Sequence, residues 1–278
     1  MIGQLLYRDK LCGQNGYDLN WGASVVGVIG GQGSVKTACC LDIAEKKLEY
    51  HKKEKVFWHD TVGSPCQFRK AQRFPWKIFV EEGYDLKFFN ATLGKTIFPD
   101  ITVFSDVEEL YRLAPYQTIN VVYFKNKKSW VGFNKNDNGG RVGLIEYLMS
   151  KKQHDWQTVV FDEMETLFPA VVNNQTDDKW YEWTTEVVAE KIKECRKSRV
   201  GIVGNYHQHS SIFHEVRNKF MFHIWGFGSR VRGTTVSQKA VNGCRPGVFW
   251  IDHQGTTYGK IQVKMIYNPP DEEWIVQV

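Results

Sequence analysis

The stretch Gly30 to Thr37, "GGQGSVKT", directly follows the apolar run Ser24 to Ile29, "SVVGVI". The run is β-branched and predicts a buried strand, and the segment from Lys36 to Lys53 has the apolar spacing of a helix. The stretch between them nearly matches the phosphate-binding loop pattern G-x-x-x-x-G-K-[ST], with Val35 in place of the second glycine. On this motif alone, a phosphate site and a Gly-rich turn followed by a solvated lysine are both open.

The residue types of this loop fit phosphate chemistry. Glycines let successive backbone N–H groups converge on an anion at a helix N-terminus, a lysine adds charge, and a hydroxyl coordinates Mg²⁺. Val35 restricts the backbone but keeps its own N–H as a donor. The candidate nucleotide-binding residues are Gly30, Gly31, Gln32, Gly33, Ser34, Val35, Lys36, Thr37 and Ala38, with Thr37 also a metal ligand.

A second motif favours the phosphate-site interpretation over the Gly-rich turn. Thr158 to Glu163, "TVVFDE", is an apolar strand that ends in two adjacent acids. In additional-strand ATPases the first acid holds Mg²⁺ and the second orients the attacking water. Both must emerge at the carboxyl end of a strand, where ligands gather in open α/β sheets. Asp162 is therefore the candidate metal acid and Glu163 the candidate catalytic base.

A third motif follows the predicted strand Gly201 to Asn205, "GIVGN", in the form "YHQHSS". A polar side chain at this strand end could sense the terminal phosphate, and Asn205, His207 and Gln208 all stand there. A solvated polar loop is the alternative. A histidine metal site is disfavoured because no cysteine or acid joins His207, His209 and His214 at ligand spacing.

Composition excludes several classes of protein. The 278 residues are 42% hydrophobic, enough for a sizeable core, and a net charge of +5 permits an anionic partner without requiring one. The six cysteines form no C-x-x-C pair, and neither a signal peptide nor a run of about 18 apolar residues is evident. We therefore expect a cytoplasmic protein with no membrane span of its own.

Alternating strand and helix patterns predict an α/β fold with a layered sheet. Residues 61–100 are punctuated by prolines and glycines and are interpreted as an irregular insertion. After about Arg232 the pattern changes to two strands joined near Gln254 and Gly255. The predicted organisation is a P-loop ATPase domain over residues 1–235 and a C-terminal β-hairpin appendage over 236–278.

The motifs "GGQGSVKT", "VVFDEMETLFP" and "GIVGNYHQHSSIFHEVR" resemble those of the zonula occludens toxin family, within the FtsK–HerA superfamily. That family tolerates a non-glycine residue before the loop lysine, as Val35 is here. The resemblance covers about Ser24 to Arg217 and implies a RecA-like additional-strand core that uses ATP and Mg²⁺. It also implies a strand-end amide as phosphate sensor, for which Gln208 is the best match and His207 the rival.

The resemblance implies partners as well. A hexameric ring acting on single- or double-stranded DNA is expected, with Arg196 or Arg199 reaching the nucleotide of a neighbouring subunit. Toxin-family members usually carry a transmembrane helix behind the ATPase domain, and this chain shows a β appendage there. We therefore expect a viral or mobile-element genome-packaging ATPase, which could also meet capsid proteins at a vertex. A membrane-linked phage assembly or secretion ATPase and a non-hydrolysing P-loop structural protein are the alternatives.

Two basic-aromatic stretches are candidate DNA contacts. They are "FRKAQRFPWK", which contains Arg69, Lys70, Arg73 and Lys77, and "YFKNKKSWVGFNK", which contains Lys125, Lys127, Lys128 and Lys135. Mixed cations and aromatic rings suit a phosphate backbone with occasional base stacking. Solvated charges over partly buried rings are the alternative for either stretch.

Overall fold

Strands and helices alternate along most of the chain, as the sequence predicts. A computed structural model describes residues 24–71, 73–125, 140–150, 155–166, 168, 170, 189–195, 197–263 and 272–278. The strands are β1 (Val25–Ile29), β2 (Glu54–His59), β3 (Trp76–Glu81), β4 (Lys87–Asn90), β5 (Lys95–Ile97), β6 (Ile101–Phe104), β7 (Ile119–Tyr123), β8 (Trp156–Phe161), β9 (Val200–Tyr206), β10 (Phe222–Gly226), β11 (Val248–His253), β12 (Thr256–Gln262) and β13 (Trp274–Gln277). The helices are α1 (Lys36–Tyr50), α2 (Val107–Leu113), α3 (Gly140–Ser150), α4 (Ala189–Glu194), α5 (His214–Arg217) and α6 (Gln238–Asn242).

A 10-stranded sheet forms the centre of the fold, in the order β12-β11-β10-β1-β9-β8-β2-β7-β3-β6. Neighbouring strands from β10 to β6 run parallel, so their carboxyl ends share one edge of the sheet. Strand β9 lies between β1, which precedes the glycine-rich loop, and β8, which precedes the two acids. This additional strand confirms the predicted α/β, RecA-like class, and it brings the three motifs to one edge.

Both faces of the sheet are covered, which explains why β1 is apolar along its whole length. In β1, Val25 and Ile29 pack into the core on one face, whereas Val26 and Val28 pack into the core on the other. Helix α1 covers the second face through side chains such as Leu41. Each fully buried side chain of this size contributes about 1.5–3 kcal/mol to stability, so the loop after β1 rests on a rigid base.

Residues 61–100 are more ordered than the sequence predicts. Strand β3 lies within the central sheet between β7 and β6, so the expectation of an irregular segment is wrong at this point. Strands β4 and β5 pair with β13 in a separate 3-stranded sheet. The prolines and glycines of this region lie outside β3, β4 and β5, and their frequency made the sequence look irregular. Whether the segment is an insertion stays a prediction.

The hairpin expected near Gln254 and Gly255 is present as β11 and β12. Both turn residues have positive φ, 50° and 87°, as a two-residue hairpin turn requires. The hairpin extends the central sheet by antiparallel pairing of β11 with β10. The domain boundary at residue 235 stays a prediction. Among the residues that the structure describes, no helix is both long and apolar enough to cross a lipid bilayer.

Candidate phosphate-binding and catalytic site

The loop between β1 and α1 depends on left-handed backbone at two positions. Gly33 has φ 74°, and Val35 has φ 71° and ψ 30°. The second of these is where the common loop pattern has glycine, which adopts this conformation without steric cost. For an L-residue the left-handed region costs roughly 1–2 kcal/mol, and a β-branched side chain is especially disfavoured. Val35 therefore adopts the backbone conformation that glycine has in the common loop, and this conformation strains the backbone locally.

Helix α1 offers unsatisfied backbone donors to this loop. It begins at Lys36, and Val35 supplies no side-chain cap. Within the described chain, no backbone carbonyl outside the helix accepts from the N–H groups of Lys36, Thr37 or Ala38. Such donors carry the positive end of the helix dipole. This end of α1 therefore suits an anion such as a phosphate group.

Close packing sets the shape of the loop. A Cβ added to Gly30 would lie 2.3 Å from Ser34 Oγ, so a larger residue cannot stand there without displacing the loop. Gly31 N–H donates to the Phe227 carbonyl over 2.8 Å, which ties the loop to the end of β10. Ser34 Oγ is buried and has no hydrogen-bond partner among the described residues. A buried hydroxyl without a partner in this loop is a further group that a phosphate oxygen would satisfy.

Lys36 directs its ammonium group back across the loop. Its Nζ donates to the carbonyls of Gly30 over 2.9 Å and Gly31 over 3.2 Å, and it lies 3.3 Å from His207 Nδ1. Burial lowers the pKa of Lys36, and nearby acidic groups, Glu165 first among them, oppose that shift. The loop thus holds one buried cation at its centre.

Thr37 and Asp162 meet as the two motifs predict, although they are 125 residues apart in the sequence. Thr37 Oγ1 donates to Asp162 Oδ1 over 3.0 Å. Burial raises the pKa of Asp162, while hydrogen bonds from Asn205 and Thr37 oppose the shift. A hydroxyl and a carboxylate in contact beside a phosphate loop form the oxygen donor set that Mg²⁺ prefers.

Asn205 joins the two acids to the loop, a role that the sequence did not reveal, since it named Asn205 only as one of three polar residues at the end of this strand. Its Nδ2 donates to Asp162 Oδ1 and lies 3.4 Å from Thr37 Oγ1. Its Oδ1 accepts from the Glu163 N–H over 3.0 Å. The available signal was a polar side chain at the end of an otherwise apolar strand.

Glu163 has a left-handed backbone, with φ 57°. The Asn205 side chain holds the Glu163 N–H, and this contact fixes the turn that follows β8. Strained non-glycine backbone persists only where surrounding contacts enforce it. Glu163 therefore sits directly beside the Thr37–Asp162 pair, in a conformation that the fold imposes.

Glu165 is a second residue that the motifs did not reveal. Its Oε1 accepts from the backbone N–H of His207 over 3.1 Å and lies 3.7 Å from Nε2 of the His207 ring. Burial raises the pKa of Glu165. In sequence it is one acid of "DEMET", and nothing in the spacing distinguishes it from a solvated carboxylate.

Gln208 and Arg199 contact parts of the fold other than the Thr37–Asp162 pair. The Gln208 amide donates to the Gly228 carbonyl over 3.1 Å and accepts from Arg230 N–H over 3.1 Å. Arg199 precedes β9 and its guanidinium lies 5.6 Å from the Trp156 ring, at the opposite edge of the sheet from the loop. Arg196 lies outside the described residues. The sensor role of Gln208 and a trans role for either arginine stay predictions.

The first basic-aromatic stretch is largely engaged within the fold. Arg73 lies 3.5 Å from Asp42 and 3.6 Å from Glu49, both on α1. The Arg69 guanidinium lies 3.9 Å from the centre of the Trp274 ring. These contacts favour the structural alternative for this stretch. In the second stretch Lys125 is described, whereas Lys127, Lys128 and Lys135 lie outside the described residues.

No protein-family model and no curated protein matches the sequence of this chain. Among solved structures, the chain is similar to the genome packaging NTPase B204 from Sulfolobus turreted icosahedral virus 2 in complex with AMPPCP. That match has a TM-score of 0.53 and 13% sequence identity, and it covers 85% of this chain and 96% of the other. The fold is that of a P-loop NTPase.

Two further solved structures with lower TM-scores carry no part of this assignment. One is the N-terminal domain of zonular occludens toxin from Neisseria meningitidis, with a TM-score of 0.31, 12% identity and 84% of each chain covered. The other is the pCW3 conjugation coupling protein TcpA, with a TM-score of 0.41, 14% identity and 88% and 61% of the two chains covered. The resemblance inferred from the motifs is thus confirmed at the level of the P-loop NTPase fold.

Proposed function

We propose that this chain is an ATPase that moves DNA, and that it packages a viral or mobile-element genome. The observation that carries the proposal is the 3.0 Å contact between Thr37 Oγ1 of the loop and Asp162 Oδ1 at the end of β8. Two residues 125 positions apart meet in the arrangement that phosphate-loop enzymes use for a metal-bound nucleotide. The packaging role is proposed by analogy, because a packaging NTPase shares the fold.

The residues present fit ATP and Mg²⁺. The uncapped start of α1 and the orphaned Ser34 hydroxyl would hold phosphate oxygens, and Lys36 would neutralise part of their charge. Thr37 and Asp162 would hold Mg²⁺, which when bound supplies positive charge to the phosphate oxygens. The donor set contains oxygen atoms alone, as this cation requires.

Glu163 is the proposed general base. Its carboxylate would accept a proton from the attacking water. Its left-handed backbone is held in place, which fixes the position from which the side chain extends. Asn205 holds Asp162 and the backbone of Glu163 together, so the metal-binding acid and the base move as a unit. His207 and Gln208 follow the same strand as candidate sensors of the terminal phosphate.

The proposed assembly is a homo-oligomeric ring, with six subunits as the family resemblance implies. One chain supplies a loop, a metal acid and a base, while the charge that develops on a transferred phosphate is best stabilised by a further cation. Arg196 or Arg199 of a neighbouring subunit is the proposed source. DNA would be the substrate that the ring moves, with capsid proteins as further partners.

The test is phosphate release from ATP, measured without DNA and with single- or double-stranded DNA over a dilution series. We expect DNA to raise turnover, and turnover per subunit to increase with protein concentration. Lys36→Ala should reduce turnover at least about 100-fold, the order expected when one donor to transition-state charge is lost. The matched control is Lys52→Ala, which removes an exposed lysine beyond the far end of α1 and should leave turnover unchanged.

Three results would count against the proposal. Turnover that is the same at every dilution and indifferent to DNA would contradict a DNA-moving ring. Turnover seen only when lipid vesicles are added would favour the membrane-linked assembly class. Nucleotide binding with no turnover under any condition would favour a non-hydrolysing structural protein.

A further inference from the structure

Three side chains form a continuous contact from the turn after β8 to the centre of the phosphate loop. Glu165 Oε1 accepts from the backbone N–H of His207 over 3.1 Å, and Nδ1 of the His207 ring lies 3.3 Å from Lys36 Nζ. The same Glu165 oxygen lies 3.7 Å from His207 Nε2. The residues come from three separate segments, so this contact depends on the tertiary fold.

We propose that Glu165 is a positioning residue that acts through His207 to hold the Lys36 ammonium against the loop carbonyls, and so limits how tightly the site binds nucleotide phosphates. This inference rests on the proposed function, because it concerns regulation of the same site. Glu165 touches neither the loop nor Asp162 in the contacts described above. Its effect on the lysine is carried by the His207 ring and by its charge.

The contact with Lys36 selects one tautomer of the neutral His207 ring. A lysine ammonium has only donors, so His207 Nδ1 must present its lone pair to Lys36. In the neutral ring the proton then stands on Nε2, the nitrogen that faces the Glu165 carboxylate. A carboxylate on that side favours this tautomer, because it attracts the N–H dipole.

Because Glu165 is partly buried, solvent screens the electrostatic effect of its carboxylate on Lys36 only weakly. Its side chain is 18% exposed, against 49% for His207, so solvent screens it less than it would a surface carboxylate. Its second oxygen, Oε2, is buried without a hydrogen-bond partner among the described residues. A carboxylate held in this way near Lys36 attracts the ammonium and repels an incoming phosphate. Both effects oppose tight binding of nucleotide.

The variant Glu165→Gln separates this role from a merely structural one. It keeps the side chain's size and its acceptor for the backbone N–H of His207, and it removes the charge. We expect ADP to bind about three- to tenfold more tightly, the order of one partly screened charge near the site. Turnover should fall by a similar factor because product leaves more slowly. A structural defect would weaken binding and turnover together.

The matched control is Glu82→Gln, which neutralises an exposed carboxylate after β3. That strand lies five positions from β1 in the sheet order, about 24 Å at the usual strand spacing. ADP binding and turnover should both be unchanged in this variant. If Glu165→Gln binds ADP no more tightly than Glu82→Gln does, the proposal is overturned.

Two measurements on His207 complete the test. Nitrogen NMR of histidine-labelled protein should show the proton on Nε2 in the wild type, and a proton on Nδ1 of the neutral ring would contradict the contact with Lys36. His207→Asn keeps an acceptor near the Nδ1 position and should bind ADP within about twofold of wild type. His207→Phe should bind it more tightly, as Glu165→Gln does, because it removes that acceptor.

The tautomer can be measured without nucleotide, so the two proposals fail separately. A chain that binds no nucleotide but has the proton on Nε2 contradicts the proposed function and retains the contact. A chain that hydrolyses ATP but has the proton on Nδ1 retains the function and contradicts the contact.

Discussion

Replacing Asn205 with alanine tests whether this side chain holds the two acids to the phosphate loop. The change removes a hydrogen bond to the charged Asp162 and one from the Glu163 N–H. The first is worth about 1.5–3 kcal/mol and the second about 1 kcal/mol, so the free energy of unfolding should fall by about 2–4 kcal/mol. The backbone of β9 is paired on both sides and should not change.

The assay is urea unfolding followed by circular dichroism and by tryptophan fluorescence, whose transitions must coincide before a free energy is extracted. Asn218→Ala is the matched control, since it truncates an exposed asparagine that follows α5, and its effect should stay within about 0.5 kcal/mol. A loss of less than about 0.5 kcal/mol in Asn205→Ala would refute the bridging role.

Three other predictions follow from backbone strain, burial and assembly. Val35→Gly relieves left-handed strain of roughly 1–2 kcal/mol, and the greater entropy of the unfolded chain offsets roughly 0.5–1 kcal/mol of this gain. The free energy of unfolding should therefore be unchanged or higher by up to about 1.5 kcal/mol, and a clear decrease in urea unfolding would contradict this. Burial lowers the pKa of His223 to about 3, so the folded state resists protonation and loses up to about 1.4 kcal/mol per pH unit as pH falls from about 6.5 towards 3. His223→Gln should reduce that acid sensitivity, and equal slopes of stability against pH in the two proteins would count against it. Mixing Glu163→Gln subunits with Arg199→Ala subunits should restore part of the ATP turnover at composite sites, whereas purely additive activities would exclude Arg199 as the trans-acting residue.

Sequence patterns predicted the strands, helices and turns that depend on interactions between residues close together in the chain. Strand β1 ends at the predicted Ile29 and α1 begins at the predicted Lys36, because apolar periodicity and a glycine-rich turn are properties of adjacent residues. The position of Asp162 beside Thr37 was also predictable, since strand ends of a parallel sheet share an edge.

Long-range contacts were not predictable in the same way. Arg73 appears in sequence as a DNA-binding cation, yet its partners are acids of α1 that only the fold brings near. The sequence places three polar residues at the end of β9. Only the pairing of β9 with β1 shows that Asn205 is the one that lies beside the phosphate loop. The importance of Glu165 depends on the His207 ring, which the fold places between Glu165 and Lys36.

The central claim is that the protein hydrolyses ATP at the carboxyl ends of its parallel strands. The residues proposed for this site are Lys36, Thr37, Asp162 and Glu163. The most direct measurement compares Mg²⁺-dependent phosphate release with nucleotide affinity in the wild type and in Glu163→Gln. The exchange keeps the size of the side chain and removes the carboxylate that would accept the water proton. We predict that affinity stays within about threefold, while phosphate release falls at least about 100-fold, as for the loss of a general base. Wild-type turnover in Glu163→Gln would contradict the account.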